Sequence, residues 1–381
     1  MSLRDDFLLD PDVTFLNHGS FGACPRPVFE TYQRWQLESE RQPVEFYGRR
    51  YDGLIDEARA ILAAYVNVSA STLIFQPNAT VAMNMVARSL TLQVGDEILT
   101  TDHEYGAMDL MWNFITKKTG ATYRAVPVPT PIKSAEQWVQ GFLDAITPQT
   151  KVIFLSHITS PTAITFPIEP VVRTARERGI LTIVDGAHAV GQIPLDLTAL
   201  GADIYTSNCH KWLCAPKGTA FLYVREEVQP LLDPLVISWG YVPSSDFAFQ
   251  NQWQGTRDIA AYLSVPAAIE YQRANDWDAV RARCHALAKE TRARLVQILG
   301  TQALTPDDDN WYQQMIALPL PPIKDPLVFK RRLYDEFRVE IPISSRGTQH
   351  YIRASYQAYN TPDDMERLLA AVENVLGEER L

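Results

Sequence analysis

Apolar and polar positions change their period along the chain. Over residues 52–66, Ile55, Ala58, Leu62 and Tyr65 recur at helical spacing, which predicts a helix. A second helix is expected over 79–90, with Asn78 as its N-cap. Residues 97–101 and 122–128 read as strands, and 151–158 is a continuous apolar run that ends in polar residues. An amphipathic stretch over 169–178 closes at Gly179, a residue suited to the position just past a helix. The β-branched run 180–184 leads directly into Asp185, and 203–207 and 219–224 are further short strands. Fully apolar strands between helices predict an α/β fold with a mostly parallel central sheet flanked by helices. Ligands of such sheets bind beyond the carboxyl ends of the strands. The polar residues just after each strand are therefore the ones to weigh.

The pattern changes after about residue 260. Long helices are expected over 259–274 and 280–299, then short strands over 315–318, 339–343 and 351–355. A last helix opens with Thr361 as N-cap, Pro362 in the first helical position and Asp364 in the first turn. Met365, Leu368, Leu369, Val372 and Leu376 form its apolar face. This part reads as a smaller C-terminal α+β domain.

Composition narrows the function classes. The chain has 381 residues, 46% hydrophobic and 21% charged, enough for a sizeable core. Its formal net charge of −10 excludes a global basic footprint, so no nucleic-acid partner is expected. No apolar run is long enough for a bilayer, and residues 1–10 carry acids rather than a secretory signal. A cytoplasmic protein without a membrane partner is expected. The four cysteines, Cys24, Cys209, Cys214 and Cys284, form no C-x-x-C pair and are expected as free thiols.

The strongest chemical signal is Ser207-Asn208-Cys209-His210-Lys211-Trp212, a lysine beside a histidine in a turn after a strand. A desolvated lysine loses basicity and becomes a nucleophilic amine. Read alone, Lys211 is also compatible with a solvated loop lysine. Val184-Asp185-Gly186-Ala187-His188 places an acid at a strand end, where a buried carboxylate needs a cationic partner. A pyridinium nitrogen supplies one; a helix N-cap is the plainer alternative. Asn78, Ala79 and Thr80 open a helix, which suits either capping or a phosphate. No metal-ligand spacing links His103, His157 and His188, so no metal is expected. A nucleotide-binding enzyme lacks its glycine-rich loop after the first strand.

These segments together resemble the class V aminotransferase family, pyridoxal-phosphate (PLP) enzymes of fold type I. The resemblance rests on V-D-G-A-H-A-V-G and S-N-C-H-K-W, with L-N-H-G-S-F-G, P-N-A-T, D-H-E-Y-G-A, S-P-T, G-T-R-D and I-R-A-S-Y-Q-A-Y-N-T in order along nearly the whole chain. Its flavour is isopenicillin N epimerase-like. It implies a homodimer acting on a small-molecule amino acid through an external aldimine and a quinonoid carbanion. It also implies a segment 1–20 over the active site, a large PLP-binding domain 21–255 and a small domain 256–381.

Residue by residue, Lys211 resembles the catalytic Schiff-base lysine, and Asp185 would face the pyridine nitrogen. His188 and Ser160 would lie near the phenolic oxygen, and Asn78, Ala79, Thr80, Asn208 and His210 near the phosphate. Thr256 would reach the phosphate of a neighbouring subunit. Tyr105 would stack on the ring, with His103 the competing candidate. Arg353 would take the substrate carboxylate, and Asn17 and His18 would lie over the site. The stretch 344–351 holds no cysteine, which argues against a persulfide-forming desulfurase. The outcome favoured is inversion at Cα, with a carbon–sulfur lyase or an aminotransferase as alternatives. A non-catalytic protein that has kept the fold is a further alternative, opposed by the intact Lys211 and Asp185.

Overall fold

Alternate side chains of each central strand enter different cores. In strand Thr150–Ser156, Val152 and Phe154 face one apolar cluster and Ile153 and Leu155 the other. The same alternation separates Ile98 from Leu99, Ile183 from Val184, and Leu222 from Phe221. A sheet covered on both faces follows, which is why its strands read as unbroken apolar runs. The computed structural model describes residues 3–242 and 244–381 and shows this α/β arrangement.

The strands are β1 (Thr14–Phe15), β2 (Leu73–Gln76), β3 (Glu97–Thr101), β4 (Thr122–Val126), β5 (Thr150–Ser156), β6 (Leu181–Asp185), β7 (Ile204–Ser207), β8 (Ala220–Val224), β9 (Met315–Pro319), β10 (Val339–Glu340), β11 (Ile343–Arg346) and β12 (Gln349–Ser355). The main sheet has seven strands in the order β2-β8-β7-β6-β5-β3-β4. β8 runs antiparallel to both neighbours; the other pairs are parallel. Helices Ala79–Ser89 and Gly106–Thr119 cover one face through Met83, Val86, Met111 and Trp112. The other face meets a continuous core that also takes in the C-terminal elements. There, β11-β12-β9 form an antiparallel sheet, with helices Trp277–Leu299, Pro326–Phe337 and Pro362–Glu379 beside it. Thr361 and Asp364 make the expected reciprocal capping box at the last helix.

Several boundaries differ from the sequence reading. The expected strand 339–343 is two strands in different sheets: β10 pairs with β1, and β11 with β12. Pro342, which has no N–H to donate, lies between them. The expected helix 259–274 is broken at Ser264, giving Ala260–Leu263 and Val265–Ala274, with Pro266 near the second start. The helix expected over 280–299 starts earlier, at Trp277, because Asp276 accepts a capping bond from the Ala279 N–H. The strand 122–128 ends at Val126, just before Pro127. All four cysteines are free. Among the described residues, no helix is long and apolar enough to cross a membrane.

Candidate active site

The carboxyl ends of β5, β6 and β7 open into a cavity of about 460 Å³. Lys211 lies in the turn after β7, and Asp185 ends β6. The N-terminus of helix Ala79–Ser89 forms another wall, and Gly19, Ser20 and Phe21 close the cavity from the N-terminal segment. Asn78, Ala79, Thr80, Tyr105, Ser160, His188, Asn208, His210 and Arg353, all singled out in the sequence, line this one cavity.

The state of the lysine amine follows from its neighbours. The Trp212 indole N–H donates to His188 Nδ1 at 3.2 Å. Indole is a donor only, so Nδ1 of the neutral ring is the acceptor and Nε2 carries the hydrogen. His188 Nε2 lies 3.3 Å from Lys211 Nζ, so the amine accepts with its lone pair. Burial agrees: it lowers the Lys211 pKa from 10.5 to about 7, helped by the charge of Arg353, and holds His188 well below its usual range. Lys211 is thus set up as a neutral nucleophile.

Asp185 is buried and its Oδ1 accepts the Ala187 N–H at 2.9 Å. Burial raises its pKa, and the Ala187 N–H it accepts is the first influence that opposes the rise. Such a carboxyl is receptive to a cation. The floor beside it is tight, because a Cβ on Gly186 would overlap the Tyr205 ring. Asn78 Oδ1 accepts the Val81 N–H, and Asn208 Oδ1 accepts the Ala79 N–H at 2.9 Å. Asn208 therefore ties the lysine loop to the helix start. His210 Nδ1 donates to the Thr219 carbonyl at 2.9 Å, so Nε2 becomes a donor only as imidazolium. Burial lowers that pKa to about 4, and a bound phosphate would oppose the fall.

Arg353 is buried with no carboxylate partner among the described residues. Its Nη1 donates to the backbone carbonyl and hydroxyl of Ser160, its Nη2 to Ser20 Oγ at 3.0 Å, and its Nε has no partner. Burial lowers its pKa to about 10. A buried guanidinium in this state calls for an anion.

Other expected residues take different places. Tyr105 lines the cavity, whereas His103 is buried with Nδ1 2.8 Å from Thr162 Oγ1. Asn17 and His18 do not line the cavity. Asn17 donates to Glu340 Oε1 at 3.0 Å. His18 donates from Nε2 to the Lys211 carbonyl at 2.9 Å and uses Nδ1 on the Tyr359 hydroxyl. Both act as struts under Gly19, Ser20 and Phe21. Thr256 is exposed and is not on this chain's cavity wall. Sequence reasoning missed Glu104, a buried carboxyl that accepts from Thr101 Oγ1 and from the Ser156 N–H and hydroxyl. Burial outweighs those donors and raises it to about 8. Its position within D-H-E-Y-G-A was visible, but nothing in the sequence marked it as buried. Among the described residues, no cluster of three or more His, Cys, Asp or Glu could hold a metal.

The donor set fits pyridoxal 5′-phosphate. It offers an uncharged amine, a carboxyl lacking a full countercharge, a helix N-terminus and a cavity wide enough for a ring. The fold and this lysine–aspartate pair define a class of enzyme, the aminotransferase class-V family, whose profile matches residues 25–368. The chain belongs to that family. It is 36% identical to an isopenicillin N epimerase of Amycolatopsis lactamdurans, covering 98% of this chain and 97% of that one. It is 30% identical to a probable chloroplastic L-cysteine desulfhydrase of Arabidopsis thaliana, covering 96% and 84%. The structure of a cysteine desulfurase from Escherichia coli superposes with a TM-score of 0.83 at 22% identity, covering 99% and 98%, and shares the fold.

Proposed function

We propose that the protein is a pyridoxal-phosphate enzyme that inverts the Cα configuration of an amino acid. The observation that carries this reading is the pairing, in one cavity, of the neutral Lys211 amine with an Arg353 guanidinium that has no carboxylate partner among the described residues. When bound, the cofactor supplies an electron-withdrawing ring that makes the Cα proton acidic. Arg353 orients the substrate by a two-pronged grip on its α-carboxylate. Lys211 takes the proton from Cα, a solvent-derived proton delivered to the opposite face completes the inversion, and Asp185 would hold the positive charge of the ring nitrogen in place. His188 Nε2–H is the donor for the phenolic oxygen, and the Thr80 amide and His210 serve the phosphate. Tyr105 covers the ring as an aromatic face. Full-length likeness to an epimerase at 36% identity supports inversion over the other outcomes. The absence of a cysteine in 344–351 removes a persulfide route. The likeness to a desulfhydrase keeps carbon–sulfur cleavage as the second reading.

The reading includes a homodimer. Leu235, Val236, Ile237, Trp239 and Tyr241 are exposed apolar side chains that a second copy would cover, and the resemblance assigns the exposed Thr256 to the phosphate of the neighbouring subunit. The test is incubation of the holoenzyme with L- and D-amino acids in D₂O, followed by chiral chromatography and a keto-acid assay, with light scattering on the same sample. Solvent deuterium at Cα with inversion and no keto acid is expected, from a dimer. Stoichiometric keto acid and sulfide without inversion would move the assignment to the lyase. A monomer at full activity would remove the role of Thr256.

A further inference from the structure

A second and larger chamber, of about 820 Å³, adjoins the first and shares Tyr105, Ser160 and Arg353 with it. It lies between the loop after β3 and the β11–β12 hairpin. Within the hairpin, Ser344 is paired with Tyr351 and Arg346 with Gln349. Paired residues share a face, and alternation along β12 puts Gln349, Tyr351 and Arg353 on that face too. Ser344, Arg346, Tyr351 and Arg353 all line the chamber, together with Ser345 and Gly347. Gln349, the partner of Arg346, is four residue steps of extended strand from Arg353, so the two arginines stand about 14 Å apart along the hairpin at ~3.4 Å per residue.

Arg346 is held in place but not used up. Its Nη2 pairs with Asp102 Oδ2 at 2.9 Å. Asp102 is itself fixed, since its Oδ1 accepts the Val128 N–H at 2.8 Å. A guanidinium has five N–H donors, so an anchored Arg346 keeps donors for a ligand. Two acids on the facing wall, Glu104 and Asp109, are pushed toward the neutral form by burial. Glu104 is buried and raised to about 8. Asp109 is raised by burial while accepting from the Tyr123 hydroxyl at 2.8 Å.

We infer that this chamber binds a second carboxylate of an elongated amino-acid substrate, with Arg353 gripping the α-carboxylate and Arg346 the distal one. The inference rests on the proposed role of Arg353 and adds the substrate class, an amino acid or short peptide whose two carboxylates are several bonds apart. An amino acid the size of cysteine would leave the chamber empty and Arg346 without a ligand.

The probes are linear dicarboxylic acids from succinate through glutarate, adipate, pimelate and suberate to azelate. Monocarboxylic acids of equal length serve as their partners, and both series are titrated calorimetrically into the holoenzyme. Dicarboxylates of the longer lengths should bind about tenfold or more tightly than their monocarboxylic partners, as one added charge-assisted grip allows. Arg346→Gln should erase that difference, and Arg346→Lys, which keeps the charge without the fork, should retain part of it. Dicarboxylates that bind no better at any length, or a gain that survives Arg346→Gln, would overturn the distal site while leaving the Arg353 assignment intact. If Arg353→Gln leaves both series unchanged, the underlying reading itself fails. Melting curves of each variant separate lost binding from lost fold.

Discussion

Lys211 is a base kept uncharged by its surroundings, and this has a consequence for stability that can be measured without substrate. In the apoprotein its pKa is about 7, against 10.5 in an unfolded chain. Between those values the unfolded chain binds the extra proton, so stability rises with pH across the window. The slope for one such group is about 1.4 kcal/mol per pH unit. Urea unfolding of the apoprotein at pH 7, 8 and 9 should show this rise, and Lys211→Met should remove it. The comparison is the difference between parent and variant, because buried thiols such as Cys24 and Cys284, raised to about 12, act in the opposite direction at higher pH. Equal slopes in the two proteins would mean that Lys211 is solvated. The sequence named this residue from its place after a strand beside a histidine. It could not show the chain from Trp212 through His188 to the amine, since that chain depends on tertiary contact across β6 and β7.

At the scale of elements, the N-terminal segment is built into the site by backbone. β1 pairs with β10, the Ser355 N–H donates to the Leu16 carbonyl, and His18 reaches the Lys211 carbonyl. Gly22 makes the approach possible. Its φ is 71°, and a Cβ there would overlap the His210 carbonyl oxygen, which is backbone and cannot turn aside. Gly22→Ala should therefore cost about 2 kcal/mol or more of stability, within the range for strain at a special backbone position. It should also weaken substrate binding, because Ser20 on the same segment holds Arg353. Denaturant midpoints and KM measure the two effects; a variant unchanged in both would show that the segment does not brace the lysine loop. Elements of this kind were the least legible in the sequence. Helix Arg26–Arg41 buries only Val28 and Ser39, so it carries almost no apolar stripe. Helices Gly106–Thr119, Ala135–Asp144 and Pro326–Phe337 and strand β2 also went unread. The buried strands β5 to β8 and the capped last helix were legible, because their cores and caps are local in sequence.

Across the whole molecule, histidines buried in the neutral state should make the fold sensitive to acid. Burial lowers His18 and His103 to about 3, His157 and His210 to about 4, and His188 well below 6.5. Each has a folded pKa below its unfolded value, so unfolding takes up a proton and stability falls as pH drops below about 6.5. Acids raised by burial oppose this. Glu104, raised to about 8, releases a proton on unfolding over the same range, and Asp185, Asp109 and Asp52 are shifted in the same direction. The five histidines outnumber the acid whose shift spans this range, so the net is proton uptake, worth about 1.4 kcal/mol per pH unit for each proton taken up. A domain stabilised by only about 5–15 kcal/mol should therefore lose stability steadily as the pH falls below 6.5. Urea titrations of the apoprotein at fixed concentration, at half-unit steps from pH 7 to 5, read the proton uptake as the slope of stability against pH. His157→Gln supplies the internal check. It lies outside the cofactor's donor set, and the amide can still pair with the Tyr205 hydroxyl that His157 Nδ1 meets at 2.9 Å, but it does not titrate. That variant should lower the slope by about one proton. A slope near zero in the parent would show that these rings accept protons in the folded state. Both His188 Nδ1 and His18 Nδ1, the acceptors that organise the lysine loop and the segment above it, would then need reassignment.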